Sequence, residues 1–278
     1  MNNNRIVNID TDALLLTKAD SAPWTDEEQA RFIEALNAQF PDKIKFAHDG
    51  YYDAVIVLAG KNYVMKPHGK TKLKIKGSAL KDQKKEPALR EMIGEIIDAF
   101  IDGKRELVSN IYEKYISEVM HLDDIKRWSQ KKTVTQPILN CAGVEPRMVK
   151  DPITGKEKKV YFKNGRPTSI RSNEVVLWDA IKDNELVSLG DKFHVFPAIL
   201  GVTVEQKTQK NGKIKEKSTI LYGNLQPQFW DKANHDTSHL LKRTFETMGI
   251  FESVYDITQI KNYALVKNFK ELLDRMRK

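Results

Sequence analysis

The spacing of apolar residues along this chain predicts a fold that mixes strands and helices. A β-type run that begins at Arg5 carries two acids, Asp10 and Asp12, in its middle, and apolar residues resume at Ala13. We interpret this pattern as two antiparallel strands joined by a tight turn, with the acids near the tip. The first predicted element is therefore an acidic hairpin.

The remaining apolar periods predict a series of further elements. Thr25 and Glu28 form a capping box, which predicts a helix that begins there and ends before Pro41. Strands are predicted over residues 43–47, 52–59, 62–66, 72–76 and 193–204. Helices are predicted from Pro87 to about residue 121, in one long or broken run, and over residues 173–184, 235–248 and 268–277. Residues 123–170 are predicted to be irregular, and Asn211-Gly212 to close a hairpin.

Composition narrows the class of protein. The chain has 278 residues, of which 40% are hydrophobic and 30% charged, enough for one large or two medium globular domains. Its single cysteine, Cys141, excludes an intramolecular disulfide and a Cys-rich zinc module, and is typical of a reducing compartment. No apolar run approaches the roughly 18–20 residues of a membrane span, and the polar start after Met1 does not resemble a signal peptide. We therefore expect a cytoplasmic protein with no membrane partner.

The net charge of +8 is concentrated in particular stretches of the chain. Residues 61–85 contain nine lysines and one acid. Within them Lys72, Lys74 and Lys76 alternate with apolar residues, which on a strand places the three ammonium groups on one face. A lysine-protected edge strand is one interpretation. A surface for a polyanion such as a nucleic-acid backbone is the other, and the density of lysines is more than edge protection needs.

Asp10 and Asp12 are candidate metal ligands. Burying two charges in an apolar strand is costly unless a cation neutralises them, and Mg²⁺ takes carboxylate oxygens. A solvated turn is the alternative, since Asp and Thr are common turn residues. His235 and His239 have a helical spacing that zinc can use, but without a third ligand nearby we interpret them as a helix-surface pair.

Three signals follow one another in a recognisable order. They are Asp10-Thr11-Asp12 on a hairpin, Lys61-Asn62-Tyr63 on a strand, and a lysine-rich strand that ends at Lys76-Gly77 before a helix. This order resembles the C-terminal part of family B DNA polymerases. In that family the Asp-Thr-Asp hairpin is motif C of the palm, a Lys-x-Tyr motif touches the minor groove of the primer–template, and a Lys-x-Lys-x-x-Gly stretch leads into the thumb. Further along, Gly190-Asp191 is similar to a strand start in the family's thumb.

The resemblance implies an α+β fold in two parts. Residues 1–77 would form the C-terminal part of the palm, an antiparallel sheet segment with the motif C hairpin. Residues 78–278 would form a mainly helical thumb with a small β element. The chain departs from the family at flanking positions, where Asn8 and Ala13 replace a usual Tyr and Ser, and Gly60 replaces a Lys.

The resemblance also implies a partner. The family's exonuclease domain, motif A and fingers precede motif C, but neither Ser-Leu-Tyr-Pro nor Asn-Ser-x-Tyr-Gly occurs here, and Met1 stands at the strand that bears motif C. We therefore expect one subunit of a split DNA polymerase, more viral than cellular, completed by an N-terminal chain that carries those parts. Primer–template DNA and a dNTP are the expected ligands. A sliding clamp stays an open partner, because residues 268–273 lack the paired aromatics of clamp-binding tails.

By the same resemblance, the site residues have distinct roles in nucleotidyl transfer. In a site for two Mg²⁺ ions shared with the partner chain, Asp12 would be a ligand together with the partner's motif A aspartate, and Asp10 would be a weaker or outer ligand. Lys61 and Tyr63 would reach the minor groove, where readout is nearly degenerate; a packed strand aromatic is the alternative for Tyr63. Lys72, Lys74 and Lys76 would contact backbone phosphates of the DNA. Gly77 would let the protein backbone approach the strand closely.

Two other functions fit the sequence less well. A non-catalytic duplex-binding or processivity subunit derived from a polymerase thumb would have little reason to retain Asp-Thr-Asp. A basic RNA-binding domain is disfavoured because no strand is studded with stacking aromatics. The basic region over residues 147–171 is compatible with either a duplex-tracking surface or a solvated loop.

Overall fold

The computed structural model describes residues 4–10, 13–82, 85–152, 155–169, 172–183, 187–199, 202–203, 207–208, 214–215, 220–224 and 234–260. Within them the protein has an α+β fold of small antiparallel sheets and several helices, as the apolar spacing predicts. The chain divides into two units, of which the first takes the described residues up to Asp82, Ile93–Ile111 and those from Met248 onward. The predicted boundary after residue 77 between palm and thumb stays a prediction. No helix in this part of the chain is long and apolar enough to cross a membrane.

The first unit contains the acidic hairpin and a three-stranded sheet. Its strands are β1 Asn4–Asp10, β2 Ala13–Lys18, β3 Tyr52–Ala59, β4 Asn62–Pro67 and β5 Lys74–Lys76. β1 and β2 pair antiparallel with Asp10 opposite Ala13, so the predicted hairpin is confirmed. β3, β4 and β5 pair in that order, all antiparallel. β5 is shorter than predicted, because Lys72 lies in the bend that precedes it.

The capping box predicted at Thr25 starts the first helix, α1 Asp26–Asn37. The Thr25 hydroxyl accepts a hydrogen bond from the Glu28 amide at 3.2 Å, and the Glu28 carboxylate accepts one from the Thr25 amide at 2.9 Å. Two N-terminal backbone donors that the helix itself cannot pair are therefore satisfied.

The strand predicted over residues 43–47 is wrong, because these residues are irregular. The side chain of Asn37 explains the difference. Its amide nitrogen donates to the Phe46 carbonyl at 2.9 Å, and its oxygen accepts from the Phe46 amide at 2.6 Å. The Asn37 side chain at the end of α1 thus occupies both backbone groups of Phe46. These groups have no need of a neighbouring strand, although the alternation of apolar residues in this segment resembles that of a strand.

Three helices follow the sheet: α2 Ser78–Lys81, α3 Pro87–Ile101 and α4 Leu107–His121. The helical run predicted from Pro87 to about residue 121 is therefore broken. The break comes at Gly103, whose φ of 73° is left-handed, while the Lys104 amide donates back to the Ala99 carbonyl at 2.8 Å. This is the usual way in which a glycine ends a helix.

The first unit is completed by residues from near the end of the described chain. The Ser253 hydroxyl donates to the Leu58 carbonyl of β3 at 2.9 Å. The ring of Phe251, which is fully buried, lies 5.8 Å from that of Phe100 on α3. Phe251 and Ser253 therefore help to complete the unit that carries the acidic hairpin.

The second unit holds the remaining strands and helices. These are β6 Gln130–Thr133, α5 Gln136–Leu139, β7 Val144–Lys150, β8 Glu157–Lys163, β9 Arg166–Pro167, α6 Ser172–Asp179, β10 Lys192–Ala198, β11 Val202–Thr203, β12 Lys207–Thr208, β13 Ile214–Lys215, β14 Ile220–Asn224 and α7 Thr237–Met248. One of its core clusters contains Val134, Ile138, Ile181, Phe193 and Val195. That cluster joins segments distant in sequence.

The prediction that residues 123–170 are irregular is wrong. β7 and β8 form a regular hairpin from Val144 opposite Lys163 to Lys150 opposite Glu157. The turn residues there close this hairpin, with the Gly155 amide donating to the Asp151 carbonyl at 2.9 Å. β6 pairs with β10, a strand far along the chain, so nothing in its local sequence reveals its partner.

Other predicted boundaries are shifted by turns. The run predicted as one strand over residues 193–204 forms β10 and β11, and β10 begins directly after Gly190-Asp191. α6 ends at Asp179, and α7 begins at Thr237, where the Asp236 side chain accepts a hydrogen bond from the His239 amide at 3.0 Å.

β12 pairs with β13 on either side of the predicted Asn211-Gly212 turn, which itself lies outside the described residues. The helix predicted over residues 268–277 also lies outside them.

A buried ion pair ties α7 to the residues just before α3. Glu86 is fully buried, and its Oε2 accepts hydrogen bonds from Arg243 Nη2 at 2.7 Å and Nε at 3.1 Å. Its Oε1 accepts a third from Gln130 Nε2 at 3.2 Å. A carboxylate removed from water in this way is tolerated only because these donors surround it.

Replacing Arg243 by Met is expected to lower the free energy of unfolding by about 2–3 kcal/mol, since it leaves the Glu86 carboxylate buried without its cation. Urea unfolding followed by circular dichroism measures the loss. Lys242→Met is the matched control: within the described residues, the partly exposed Lys242 pairs with the exposed Glu246 at 4.0 Å, so its loss should cost less than about 0.5 kcal/mol. Equal costs for the two variants would contradict the assignment.

Candidate functional site

The acid of the hairpin and the tyrosine of the second motif meet in the structure. The Tyr63 hydroxyl on β4 donates a hydrogen bond to Asp10 Oδ2 on β1 at 2.9 Å. Tyr63 is only 5% exposed, while Asp10 is half-buried. Burial first, and then the hydrogen bond to Asp10, raises the pKa of Tyr63. The phenol is therefore a fixed donor aimed at the carboxylate.

This position matches the alternative interpretation of Tyr63 as a packed strand aromatic. A contact between Tyr63 and a minor groove stays a prediction. What the geometry adds is a positioning role, because a carboxylate that accepts a hydrogen bond from a buried phenol has a restricted orientation. The sequence signal for this pair was the order of the motifs, since no local pattern links two strands so far apart.

The metal prediction depends on both acids of the hairpin. Asp12 lies outside the described residues. Asp10 offers carboxylate oxygens, the donor type that Mg²⁺ prefers, and one of them already accepts from Tyr63. Within the described residues, no group of three or more His, Cys, Asp and Glu side chains is arranged to hold a metal ion. Two Mg²⁺ ions held here stay a prediction.

Gly77 lies against the Lys-x-Tyr motif, where a side chain would not fit. A Cβ placed on Gly77 would come within 2.1 Å of the Asn62 side-chain oxygen and 2.5 Å of the Lys61 carbonyl. Gly77 also has a φ of 108°, which side chains disfavour. The Asn62 oxygen accepts a hydrogen bond from the Ala79 amide at 3.2 Å, so the start of α2 is held to β4. In the structure Gly77 therefore makes a close approach to the start of β4, and its predicted role at the DNA stays a prediction.

The lysines of β5 share a face with Tyr63. Lys76 lies opposite Tyr63, and Lys74 lies opposite Met65, so the predicted alternation holds for these two lysines. Lys72, Lys76 and Lys61 are exposed. Their cationic ends are therefore available to an anionic ligand.

Lys74 differs from the other lysines because side chains of its own unit hold it. Its Nζ donates to the Tyr52 hydroxyl at 3.0 Å and to Asp49 Oδ2 at 3.2 Å. The hydrogen bond to Tyr52, followed by that to Asp49, raises the pKa of Lys74. Sequence reasoning missed Tyr52, Asp49 and the supporting role of Asn62, since only the register of the sheet brings them to the motif.

The second basic region lies on the β7–β8 hairpin rather than in a loop. Arg147 lies over the Phe162 ring at 5.1 Å, and Lys159 over the Tyr161 ring at 5.8 Å. Lys158 pairs with Asp151 at 3.3 Å. Lys150 and Arg166 are exposed strand residues, and Arg171 lies outside the described residues. A duplex-tracking role for this hairpin stays a prediction.

The prediction of a surface histidine pair is wrong. His235 is 2% exposed, precedes α7, and stacks on Phe196 with ring centroids 3.6 Å apart. Burial first, and then the nearby charge of Arg243, lowers the pKa of His239.

Cys141 is also buried, and its thiol donates a hydrogen bond to the Pro137 carbonyl. Burial raises the pKa of this thiol to about 11, which does not favour a nucleophile.

The hairpin exposes large apolar side chains. Ile6 is 57% exposed, Ile9 62% and Leu14 36%. α1, which follows, has no buried residue. Exposed apolar side chains grouped on one short sheet are typical of surfaces that another protein covers.

Neither a protein-family model nor a curated protein matches this chain. Its function is therefore inferred from the residues and their geometry.

Tyr63→Phe is expected to lower the free energy of unfolding by about 1 kcal/mol, because it removes the donor to Asp10 while keeping the packed ring. Urea unfolding measures the change. Tyr112→Phe is the matched control: the Tyr112 hydroxyl is buried and has no hydrogen-bond partner among the described residues. Its removal should leave stability unchanged or increase it. The same loss in both variants would show that the Tyr63 bond contributes nothing specific.

The Tyr63 comparison also has a defined pH dependence. With its pKa raised on folding, Tyr63 keeps its proton in the folded protein at pH values where the unfolded chain loses it. Its contribution to stability is complete below pH of about 10 and is lost as pH rises through the folded pKa. The difference in the free energy of unfolding between wild type and Tyr63→Phe should therefore shrink as pH rises through the pKa of Tyr63 in the folded protein.

Gly77→Ala is expected to destabilise the protein by at least about 2 kcal/mol, because strain at positive φ adds to overlap with the backbone of Lys61. Thermal and urea unfolding measure the loss. Gly69→Ala is the control, since Gly69 has a φ of 66° but a Cβ placed there would meet nothing within 4 Å, so it carries only the backbone strain of about 1 kcal/mol. Similar losses of stability in the two variants would show that the segments at Lys61, Asn62 and Gly77 can move apart to accommodate a side chain.

Proposed function

We propose that this chain is the palm and thumb subunit of a split family B DNA polymerase. The observation that supports this most is the convergence of the three motifs where the acidic hairpin meets the three-stranded sheet. Asp10 of the first motif accepts from Tyr63 of the second, while Gly77 of the third lies against Lys61. The resemblance rests on the order of these motifs along the sequence; their proximity in space is an independent reason to treat them as one site.

Asp12, with Asp10 beside it, would hold the metal ions of the reaction. Two Mg²⁺ ions, when bound, activate the attacking 3′-hydroxyl and stabilise the triphosphate of the incoming dNTP. Asp10 and Asp12 are too few ligands for such a site, so we propose that a partner chain provides further carboxylates. Tyr63 acts as a positioning residue, because its hydroxyl fixes the Asp10 carboxylate.

The lysines provide the grip on primer–template duplex. Lys61, Lys72 and Lys76 are exposed and stand around the Lys-x-Tyr strand, where backbone phosphates of a duplex would be neutralised by their ammonium groups. Phosphate contacts carry no sequence information, which suits an enzyme that accepts any template.

The exposed apolar residues of the hairpin indicate where the partner would bind. Ile6 and Ile9 on β1 and Leu14 on β2 form an apolar surface on a sheet of only two strands. A partner that covers this surface also lies next to Asp10. The proposed partner is the N-terminal polymerase chain with exonuclease, motif A and fingers.

Asp12→Ala tests the catalytic role in the complex of this chain with the protein that co-purifies from its source. Primer extension should fall by at least about 100-fold, since a metal ligand is lost, while binding to primer–template should be retained. Asp20→Ala is the control, because Asp20 is an exposed acid in the turn after β2.

Two outcomes would contradict the proposal. Nucleotide incorporation by the purified chain alone would show that no partner is needed. Unchanged synthesis by the Asp12→Ala complex would instead support a non-catalytic duplex-binding subunit.

A further inference from the structure

A cavity of about 330 Å³ opens beside Lys74 in the first unit. Its walls come from the segment that enters β3 and from the segment between β4 and β5. The polar residues that line it are Asp49, Tyr51, Tyr52, His68, Lys70 and Lys74. The lining residues carry two ammonium groups, two phenols and an imidazole against one carboxylate, so the cavity is suited to an anion.

The walls of the cavity are held by hydrogen bonds that leave its mouth open. The His68 amide donates to the Tyr51 carbonyl at 3.0 Å, and the Tyr51 hydroxyl accepts from the Trp24 amide at 3.2 Å. His68 contacts the Asp53 carboxylate on β3 at 2.6 Å. The cavity is therefore a built feature of the sheet edge, and a ligand would enter a shape that already exists.

The Tyr52 hydroxyl holds the Lys74 ammonium group at this cavity. Its Nζ donates to the Tyr52 hydroxyl oxygen at 3.0 Å, so the hydroxyl proton of Tyr52 can be donated to a ligand. The Lys74 ammonium and the Tyr52 hydroxyl would then act on neighbouring oxygens of one tetrahedral anion. Lys70, on the turn that follows His68, supplies a second cation at the rim.

Asp49 occupies the position that such an anion would take. Its Oδ2 lies 3.2 Å from Lys74 Nζ, and its side chain is 85% exposed. An ion pair this exposed contributes little to stability, so an anion of higher charge density can displace it. The carboxylate is thus a weak internal substitute for an external anion.

We propose that this cavity is a binding site for one phosphate group, held by Lys74, Lys70 and the Tyr52 hydroxyl, and that Asp49 competes with the phosphate for Lys74. The identity of this phosphate as one in the backbone of primer–template DNA rests on the proposed function. The phosphate chemistry itself rests only on the cavity. Asp49 therefore sets how tightly this surface holds its anion.

Asp49→Asn tests the proposal in the full-length chain, with two probes. Inorganic phosphate is titrated while NMR follows the amide signals of Gly50 and Tyr52, and a labelled primer–template duplex is titrated by fluorescence anisotropy at fixed salt. Asp49→Asn should bind both probes about two- to fivefold more tightly than wild type, because an exposed competitor of modest strength is removed.

Two further variants separate the cavity from general electrostatics. Asp42→Asn makes the same charge change at another exposed acid in the same segment and should leave both affinities unchanged. Lys74→Gln should weaken binding of both probes, and adding Asp49→Asn to it should restore nothing. An Asp49→Asn gain no larger than that of Asp42→Asn, or one that persists without Lys74, overturns the proposal.

The two probes also distinguish this proposal from the proposed function. A gain for inorganic phosphate with no binding of duplex by any variant would support the site and reject the DNA-binding function. Duplex binding that is insensitive to Asp49 while inorganic phosphate shifts no signal would reject the site alone. A gain confined to inorganic phosphate, in a chain that binds duplex, would support a site for free phosphate and reject the DNA backbone as its source.

Discussion

The phenol of Tyr63 is the buried polar group that joins the two β elements of the first unit. Leaving a buried phenolic hydroxyl without an acceptor costs more free energy than its hydrogen bond returns. Asp10 is that acceptor, on a strand that lies 53 residues earlier in the chain. The same bond that satisfies the Tyr63 hydroxyl therefore holds a carboxylate in place.

The sheet around Tyr63 extends this constraint to the cationic residues. Antiparallel pairing of β4 with β5 puts Lys74 and Lys76 on the face of Tyr63. The absence of a side chain at Gly77 lets the segment after β5 lie directly on Lys61 and Asn62. Carboxylate and ammonium groups consequently stand near each other for structural reasons, which is also the arrangement that a metal-dependent reaction on phosphates would use.

Sequence reasoning succeeded where the determinants are local. The capping box at Thr25, the hairpin around Asp10, and β3 and β4 follow from short patterns, and all are present. It failed where a distant group decides. Asn37 takes both backbone groups of Phe46 and prevents a strand, and β6 exists only because β10 pairs with it. For the candidate site, the order of motifs assigned Asp10 and Tyr63 to one polymerase site, as a metal ligand and a DNA contact, but their hydrogen bond, the burial of Tyr63 and the contact of Asp49 with Lys74 depend on register and could not be read from the chain.

The contact of Ser253 with Leu58 has a consequence for how this protein is made. It joins residues 195 positions apart, and the Glu86–Arg243 pair joins residues 157 apart. Closing loops of this length is a slow, entropically costly step. During synthesis the hairpin and its sheet leave the ribosome well before Ser253 and Phe251, which complete their core. The sheet that carries Tyr63 is thus completed only after the intervening residues have been made, so its partly formed core is exposed in the meantime.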